Sequence, residues 1–287
     1  MYPLLRDLTT ETLPAFTSLI TANVRAELAK RNDSLCHDTL AEALAGPEGK
    51  AISHHIPVAS VPDLLNYHNY RTYIVDRAFT QRDPAIHQVV ILGAGMDSRC
   101  YRIKELADCH VFEVDDCQVL MERKEKVLKD LDLPLLAKKR DIIMSDVGTM
   151  TWRDKLVACG FDRTQPTLWL LEGLLMYLTP EVNYSLIAAI DELSAVHSQM
   201  WCDMVWMESI KPTDNVSISL TDAIYFGVDH SLMNTLSWHQ RVLLARNTTN
   251  KYGGAMWDEL RDAPLMAPNA EPVYGPFVFM VLLKQHE

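Results

Sequence analysis

The segment from Gln88 to Arg99, QVVILGAGMDSR, is the feature that most constrains the fold of this chain. Its apolar first half predicts a buried strand, and the Gly93-Ala94-Gly95 sequence that follows predicts a tight turn. A second apolar stretch ends in an acid at Asp115. A parallel strand, a glycine loop and a second strand with a carboxylate at its tip are typical of folds that bind a ribose. The sequence therefore predicts an enzyme that holds an adenosine-containing cofactor.

Strand and helix patterns alternate along the chain from this segment onward. Strands are predicted at residues 88–92, 110–114, 141–144, 167–171, 200–207 and 273–283. A helix is predicted after the second strand, and another from Thr179-Pro180 to about Ser194, because a hydroxyl N-cap followed by proline is a strong helix start. This alternation predicts an α/β fold with a doubly wound, Rossmann-like and mostly parallel sheet. A strand at the end of the chain favours the methyltransferase version, in which the last strand is antiparallel.

The residues before the first core strand have helical periodicity. Helices are predicted at residues 10–30, at 38–45 with a stop at Gly46-Pro47, and at 64–79. We therefore expect residues 1–80 to form a helical cap or lid within the same domain, and residues 81–287 to form the core. A helical insertion is predicted near residues 208–260.

Composition disfavours several classes of function. The formal net charge of −11 and the pI near 5.4 disfavour nucleic-acid binding, which needs a basic surface. No apolar run reaches the ~18 residues of a membrane span, and the first residues lack the regions of a secretory signal. The six cysteines form no CxxC pair and no spacing typical of a metal site. We therefore expect a cytoplasmic protein with no metal ion and no nucleic-acid or membrane partner.

Acidic residues follow four of the predicted strands, and because the carboxyl ends of parallel strands meet at one edge of a sheet, they are expected to converge on one pocket. They are Asp97, Asp115, Asp146 and Glu172. Asp115 suits the hydroxyls of a ribose, and Asp146 with Val147 suits an adenine ring. Glu172 suits the methionine part of S-adenosylmethionine, or a substrate.

The glycine loop alone leaves two cofactors open. Ser98 stands at the third glycine position of the dinucleotide pattern, and because serine is small, NAD is not excluded. The loop continues as Met96-Asp97-Ser98-Arg99 and does not present an open helix N-terminus to a pyrophosphate, which favours S-adenosylmethionine.

Three motifs resemble the leucine carboxyl methyltransferase family, which includes protein phosphatase methyltransferases and bacterial polyketide O-methyltransferases. They are VILGAGMDSRCYR at residues 90–102, FEVD at 112–115 and LLEGLLMYLTPE at 170–181. Upstream, residues 70–76 resemble the arginine-containing helix of the family, and residues 25–38 its N-terminal helical segment. Thr39 and Cys117 stand where the family pattern has proline.

The resemblance implies roles for individual residues. Arg71 would pair with the methionine carboxylate, Glu172 would lie near the methionine amino group, and Asp115 would hold the ribose. The cofactor-binding residues predicted in this way for S-adenosyl-L-methionine are Arg71, Gly93, Ala94, Gly95, Asp115, Asp116, Asp146, Val147 and Glu172. No catalytic residue is assigned, and the candidates for positioning the acceptor are Arg25, Tyr70 and Glu172.

Methyl transfer from a sulfonium is a single in-line displacement, to which an enzyme mainly contributes proximity and orientation. A carboxylate acceptor needs no general base, whereas an alcohol or phenol does. The histidines are scattered and form no evident His–Asp pair, which favours a carboxylate. We therefore predict an S-adenosylmethionine-dependent O-methyltransferase that acts on a small-molecule carboxylate.

Three alternatives remain open. The first is methylation of a protein C-terminal leucine, disfavoured because residues 205–270 contain no recognisable site for a peptide tail. The second is an NAD-linked oxidoreductase, and the third is a pseudoenzyme that binds the cofactor without turnover. The sequence does not indicate the identity of the acceptor or the oligomeric state.

Overall fold

The computed structural model describes residues 13–55, 62–206, 227–228, 232, 235–245 and 277–285. The described helices are α1 (Leu13–Ala29), α2 (Ala41–His55), α3 (Pro62–Thr80), α4 (Gln118–Asp130), α5 (Trp152–Ala158) and α6 (Pro180–Leu193). The described strands are β1 (Gln88–Leu92), β2 (His110–Asp115), β3 (Lys139–Met144), β4 (Thr167–Leu171), β5 (Gln199–Trp206), β6 (Gly227–Val228), β7 (His239–Ala245) and β8 (Phe277–Leu283).

The described strands form one sheet in the order β3-β2-β1-β4-β5-β8-β7, with β6 paired to β5 off this path. Along the run β3-β2-β1-β4-β5 every pair of neighbouring strands is parallel, whereas β8 runs antiparallel to both β5 and β7. The predicted doubly wound, mostly parallel sheet with an antiparallel last strand is therefore confirmed. The chain moves outward from β1 to β3 and then returns to start β4 on the other side of β1, which makes the β1–β4 junction the topological switch point.

Alternate residues of a strand point to opposite faces of the sheet, and in the central strands both sets are apolar. Val90 and Leu92 belong to a core cluster with residues of α5 and α6. Val89 and Ile91 belong to a second cluster with residues of α3. Every residue of β1 and of β4 is buried. Helices on both faces hold these two strands at the centre of the fold.

The N-terminal helices follow the prediction with one correction. α1, α2 and α4 share a third apolar cluster. Gly46, with φ 59° and ψ −170°, breaks the helical geometry inside α2 where a stop was predicted, but helix resumes from Pro47 to His55. Proline is well tolerated in the first turn of a helix, and so it starts the second half of α2 as readily as it ends the first. No helix of the described residues is long and apolar enough to cross a lipid bilayer.

The predicted helical insertion near residues 208–260 is wrong at residues 227–228 and 239–245, which form strands. β6 and β7 lie within it, and β7 pairs with β8 at the edge of the described sheet. The sequence of β7, HQRVLLA, has no strict alternation, and a short apolar run of this kind fits a helix or a strand equally well. Pairing with β8 decides between them. Residues 207–226 and 246–276 lie outside the described residues.

Candidate functional site

A cavity of about 270 Å³ lies at the carboxyl ends of the central strands, at the switch point between β1 and β4. Ile91 pairs with Leu170 in register, so the residues that follow β1 and β4 emerge side by side. The loops after β1, β2, β3 and β4 all contribute to the walls of this switch-point cavity. Its volume is slightly below the roughly 300–1,000 Å³ that is typical of small-molecule sites.

The glycine loop forms the floor between β1 and β2. The backbone N–H groups of Gly93 and Ala94 both donate to the carbonyl of Val114, at 2.8 and 3.1 Å. Gly93 and Gly95 have φ of 69° and 40°, a region that favours glycine. A Cβ on Gly95 would lie 2.8 Å from Cβ of Ser18 on α1. The loop is therefore closed by the sheet below and by α1 above, and only glycine fits at the contact with α1.

Asp115, at the tip of β2, braces this loop. One carboxylate oxygen accepts the N–H of Gly95 at 2.8 Å, and the other accepts the N–H of Cys117 at 2.9 Å. Cys117 provides an N–H that a proline at this position would lack. Asp116 beside it is exposed at the rim, but partial desolvation, together with the nearby Asp115 and Asp146, raises the pKa of the Asp116 carboxyl. The carboxylates at this end of the cavity form an acidic wall.

Asp146 and Val147 follow β3 and contribute the neighbouring part of the wall. One oxygen of Asp146 accepts the N–H of Gly148 at 2.7 Å, which starts a short 3₁₀ turn. Val147 and Leu120 are buried apolar residues that also border the cavity. An apolar surface beside a carboxylate suits a flat heteroaromatic ring with an exocyclic amine.

Glu172, just beyond β4, is held by two arginines. Its oxygens accept Nε of Arg71 at 2.8 Å and Nη1 of Arg99 at 2.7 Å. Arg99 also pairs with Asp97 and with Asp76. Burial alone would raise the pKa of the Asp97 carboxyl, but the Arg99 guanidinium outweighs it, and the pKa is lowered to about 2. Burial is likewise outweighed at Glu172, where Arg99 and Arg71 lower the pKa, so the cluster is ionised at neutral pH.

Arg71 also contacts two fully buried residues. Its Nη1 lies 3.3 Å from an Asp203 oxygen and donates to the hydroxyl of Tyr67 at 3.3 Å. The Tyr67 hydroxyl in turn donates to Asp203, whose other oxygen accepts the N–H of Gly173 at 2.5 Å. Burial raises the pKa of the Asp203 carboxyl, and the Arg71 cation opposes that rise. Arg71 is therefore tied to both β4 and β5.

Arg25 of α1 connects the N-terminal helices to the glycine loop. Its Nε donates to Asp38 at 3.0 Å, and its Nη2 donates to the carbonyl of Met96 at 2.8 Å. Asp38 also accepts the hydroxyl of Ser98 at 2.8 Å. Burial opposes the charge on Asp38, but Arg25 and Arg102 lower the pKa of its carboxyl. These contacts fasten α1 over the cavity.

The structure brings all the residues predicted to bind the cofactor to the wall of one cavity. They are Arg71, Gly93, Ala94, Gly95, Asp115, Asp116, Asp146, Val147 and Glu172. The positioning candidates Arg25 and Glu172 also border it. The prediction for the third candidate, Tyr70, is corrected: its side chain is only 1% exposed and packs in the core cluster between α3 and the sheet. Adjacent helical residues point about 100° apart, so a helix that directs Arg71 to the cavity turns Tyr70 to the sheet.

One wall of the switch-point cavity carries hydroxyl groups that the sequence did not lead us to expect. Thr17, Ser18 and Thr21 on α1 border the cavity, as does Tyr177 after β4. Tyr177 bonds to Thr17, and burial raises the pKa of its hydroxyl. The signal was the polar stripe of α1, which lies beside the apolar face that defined the helix. Such a stripe is usually exposed to water, and only the packing of α1 on the glycine loop turns it inward.

A model of the leucine carboxyl methyltransferase family matches residues 18–191, which is more than half of the chain. The chain belongs to the leucine carboxyl methyltransferase family. The resemblance based on three motifs is thereby confirmed, and so is the predicted cofactor, S-adenosyl-L-methionine. Membership of this family decides against the NAD-linked alternative.

Bacterial relatives agree with this assignment. A protein from Streptomyces coelicolor is 38% identical over 197 residues, which are 64% of this chain and 63% of that protein. One from Mycolicibacterium smegmatis is 35% identical over 189 residues, again 63% of its length, so this chain covers less than two thirds of both. One from Mycolicibacterium paratuberculosis is 29% identical over 91% of each chain. All three are provisionally named S-adenosyl-L-methionine-dependent methyltransferases.

Two solved structures have the same fold. A protein from Thermobifida fusca, provisionally named a methyltransferase, superposes with a TM-score of 0.54 at 16% identity, over 92% of this chain and 94% of the other. A duf574 family protein from Streptomyces avermitilis superposes with a TM-score of 0.56 at 12% identity, over 92% and 96%. At these identities the likeness supports the fold alone.

Proposed function

We propose that this chain is an S-adenosylmethionine-dependent O-methyltransferase that methylates a carboxylate of a small molecule. The observation that carries the proposal is the switch-point cavity, whose walls combine the glycine loop, the Asp115 carboxylate and the Arg71–Glu172 pair. Each of these features alone is common in α/β proteins. Their convergence on one space in a chain of this family is the basis of the assignment.

The chemistry of the cavity walls fits the groups of the cofactor. Asp115 would accept the ribose hydroxyls, while Asp146 and Val147 would contact the amine and the face of the adenine. Arg71 would bind the methionine carboxylate through charge-assisted hydrogen bonds, and Glu172 would face the amino group. The glycines leave room for a ligand, because a Cβ on Gly93 would lie 3.1 Å from Leu174 Cδ1 and fill part of the floor.

The chain contributes binding and orientation to this reaction. When bound, S-adenosyl-L-methionine supplies an electrophilic methyl group on a positively charged sulfur. The ion pairs of Glu172 with Arg71 and Arg99 fix the side chains at the methionine end, so little reorganisation is needed when the acceptor binds. α1 covers the cavity through Arg25 and Ser18, which limits the access of water.

The hydrogen-bonding groups of the cavity favour an anionic acceptor. Thr17, Ser18, Thr21 and Tyr177 present hydroxyls, and Arg25 presents a guanidinium. A carboxylate is ionised at neutral pH, so transfer to it requires no residue that removes a proton. The expectation that no His–Asp pair forms is wrong, because His110 pairs with Asp141 at 2.6 Å and His87 with Asp108 at 3.0 Å. No histidine is among the described residues that line the cavity, so neither pair is placed to act as the base there.

A small molecule is preferred over a protein C-terminus on the sequence of residues 205–270, most of which lie outside the described residues. The cytoplasmic location of the protein stays a prediction from its sequence. Methylation of a protein C-terminal carboxylate is the second candidate, because the family is named for that activity and the same cavity would hold the same cofactor. The two acceptors differ in size, and an experiment can separate them on that property.

The test is transfer of a radiolabelled methyl group from S-adenosyl-L-methionine into a cell extract, with Asp115→Ala as the matched variant. The products are separated by size and treated with mild base. Label in the small-molecule fraction that base releases as volatile methanol supports the proposal. Base-labile label in one protein band would transfer the assignment to the protein C-terminus.

Two further outcomes would contradict the proposal. Base-stable label would indicate an ether or amine product, and the carboxylate assignment would be wrong. No label above that of the variant in any extract fraction, with normal binding of the cofactor in a calorimeter, would favour the pseudoenzyme alternative.

A further inference from the structure

Two buried groups contact Arg71 from behind without bordering the switch-point cavity. Asp203 is 0% exposed and Tyr67 is 2% exposed. Both lie within 3.3 Å of Nη1 of Arg71, and the Arg71 guanidinium lies 5.6 Å from the centre of the Tyr67 ring. Neither is among the described residues that line the cavity. Whatever they contribute to ligand binding must therefore act through residues that do line it, of which Arg71 contacts both.

The topology of the sheet puts Asp203 in a position to align several parts of the site. Leu171 at the end of β4 pairs with Cys202 of β5, so Asp203 is the next residue beyond that pair. There its Oδ1 accepts the N–H of Gly173 at 2.5 Å. Gly173 follows Glu172, so one carboxylate on β5 contacts the turn that carries Glu172 and also contacts Arg71.

The Arg71 guanidinium is confined on each of its nitrogens. Nε donates to Glu172 at 2.8 Å, and Nη1 faces Asp203 and Tyr67. Nη2 lies over Gly173, where a Cβ would be only 2.5 Å away. The planar group can neither rotate about its long axis nor move towards β4, so its orientation is set by the protein before any ligand binds.

We propose that Asp203 is a positioning residue that aims the Arg71 guanidinium at the methionine carboxylate of the cofactor, with the Tyr67 hydroxyl as its donor partner. This inference rests on the proposed function, because it assigns a role within the same cofactor site. Removing the carboxylate charge would release Nη1 and leave Arg71 held mainly by Glu172.

Asn is the informative replacement for Asp203, because it keeps the shape and one acceptor oxygen. That oxygen can still accept the N–H of Gly173, so the turn after β4 retains its bond. The amide nitrogen then faces Nη1 of Arg71 and the Tyr67 hydroxyl. Because both the amide and the guanidinium are donors, Nη1 loses the acceptor that the carboxylate oxygen provided. Arg71 is expected to turn away from its present orientation.

The test compares two ligands that differ only at the methionine end. S-adenosyl-L-homocysteine carries the amino acid group, and 5′-methylthioadenosine lacks it. Asp203→Asn is expected to weaken binding of S-adenosyl-L-homocysteine about tenfold, the order of loss when a group that orients a binding residue is removed. Binding of 5′-methylthioadenosine is expected to stay unchanged. Asp191→Asn, which removes a carboxylate that bonds Trp238 and Lys284 at the end of α6, is the matched control and should alter neither.

An equal loss for both ligands would reduce Asp203 to a structural support and overturn the proposal, and so would wild-type affinity for both. If Asp203→Asn does not fold, as judged by circular dichroism, Tyr67→Phe decides with the same two ligands. It removes only the hydroxyl and should give a smaller loss confined to S-adenosyl-L-homocysteine.

Wild-type protein that fails to bind S-adenosyl-L-homocysteine would contradict the proposed function itself. If the variants prefer S-adenosyl-L-homocysteine over 5′-methylthioadenosine as strongly as the wild type does, only the role of Asp203 is contradicted.

Discussion

Replacing Asp115 with alanine removes the carboxylate assigned to the ribose of the cofactor. Its oxygens accept the N–H groups of Gly95 and Cys117 at 2.8 and 2.9 Å. An ionised carboxylate has about four acceptor sites, so about two remain for the two ribose hydroxyls. Hydrogen bonds to charged groups contribute about 1.5–3 kcal/mol each, and water replaces part of that contribution. We expect the binding free energy to fall by about 1–3 kcal/mol, a roughly 5- to 140-fold rise in Kd.

The assay is isothermal titration calorimetry with S-adenosyl-L-homocysteine, accompanied by urea unfolding. The free energy of unfolding should fall by about 1–3 kcal/mol as well, since two partly buried N–H groups lose their acceptor. To isolate the ribose contact, adenosine is compared with 2′,3′-dideoxyadenosine, and only the wild type should distinguish them. A variant that still prefers adenosine as strongly as the wild type would refute the ribose assignment. Asp130→Ala, which removes an exposed carboxylate paired with Lys126, controls for net charge.

Three further predictions concern residues that border the cavity. Gly95→Ala should lower the free energy of unfolding by about 1–3 kcal/mol, because its Cβ would lie 2.8 Å from Cβ of Ser18 at a φ of 40°; adding Ser18→Gly should restore part of the loss, and urea midpoints check both. The folded-state pKa of Asp97, about 2, lies below its ordinary value, so its carboxylate stabilises the fold fully above about pH 4 and less as the pH falls towards 2. Over that interval the free energy of unfolding of Asp97→Asn should therefore fall by about 2 kcal/mol less than that of the wild type. The free energy is measured by urea unfolding at each pH, and the same slope against pH in both proteins would contradict the assignment. Arg71→Lys should weaken binding of S-adenosyl-L-homocysteine about tenfold in a calorimeter, because a single ammonium cannot reproduce the planar fork; wild-type affinity would mean that Arg71 points elsewhere.

The central strands and the glycine loop could be predicted because their signals are local. Residues 89–92 are apolar without interruption, which suits a strand buried on both faces, and they run directly into Gly93. The acids that follow successive strands could be grouped for the same reason, since parallel strands align their carboxyl ends. Asp115 and Glu172 were therefore correctly predicted to share a cavity before any side-chain geometry was known.

Position on a helix was harder to predict than position on a strand. Tyr70 and Arg71 are adjacent, and the sequence does not indicate which of them α3 turns towards the cavity. Tyr67 shares the face of Arg71 because the two are four residues apart, yet its bond to Asp203 joins α3 to β5. The polar stripe of α1 was overlooked for the same reason, since only its packing on Gly95 makes Ser18 part of the cavity.

The prediction failed at β7, where the local pattern is ambiguous. Residues 239–245 contain good helix formers, and their strand conformation follows from hydrogen bonds to β8. Gly46 illustrates the opposite case. It breaks helical geometry as predicted, but the chain continues as helix, and Arg123 of α4 donates to the carbonyl of Ala45 at 3.1 Å beside the break. Both outcomes depend on elements far away in sequence.

The sequence by itself determined the family, the cofactor and the residues that follow each parallel strand, because these depend on short motifs whose backbone geometry is local. Tertiary structure alone decided which charges meet. Glu172 is held by Arg71 and Arg99, and Arg71 is backed by Asp203, although these residues lie on four separate segments. Opposite charges are numerous in any sequence, and each could pair with several partners. The choice is made when the sheet register and helix packing bury particular ones together, because a buried charge is tolerated only beside its counter-charge.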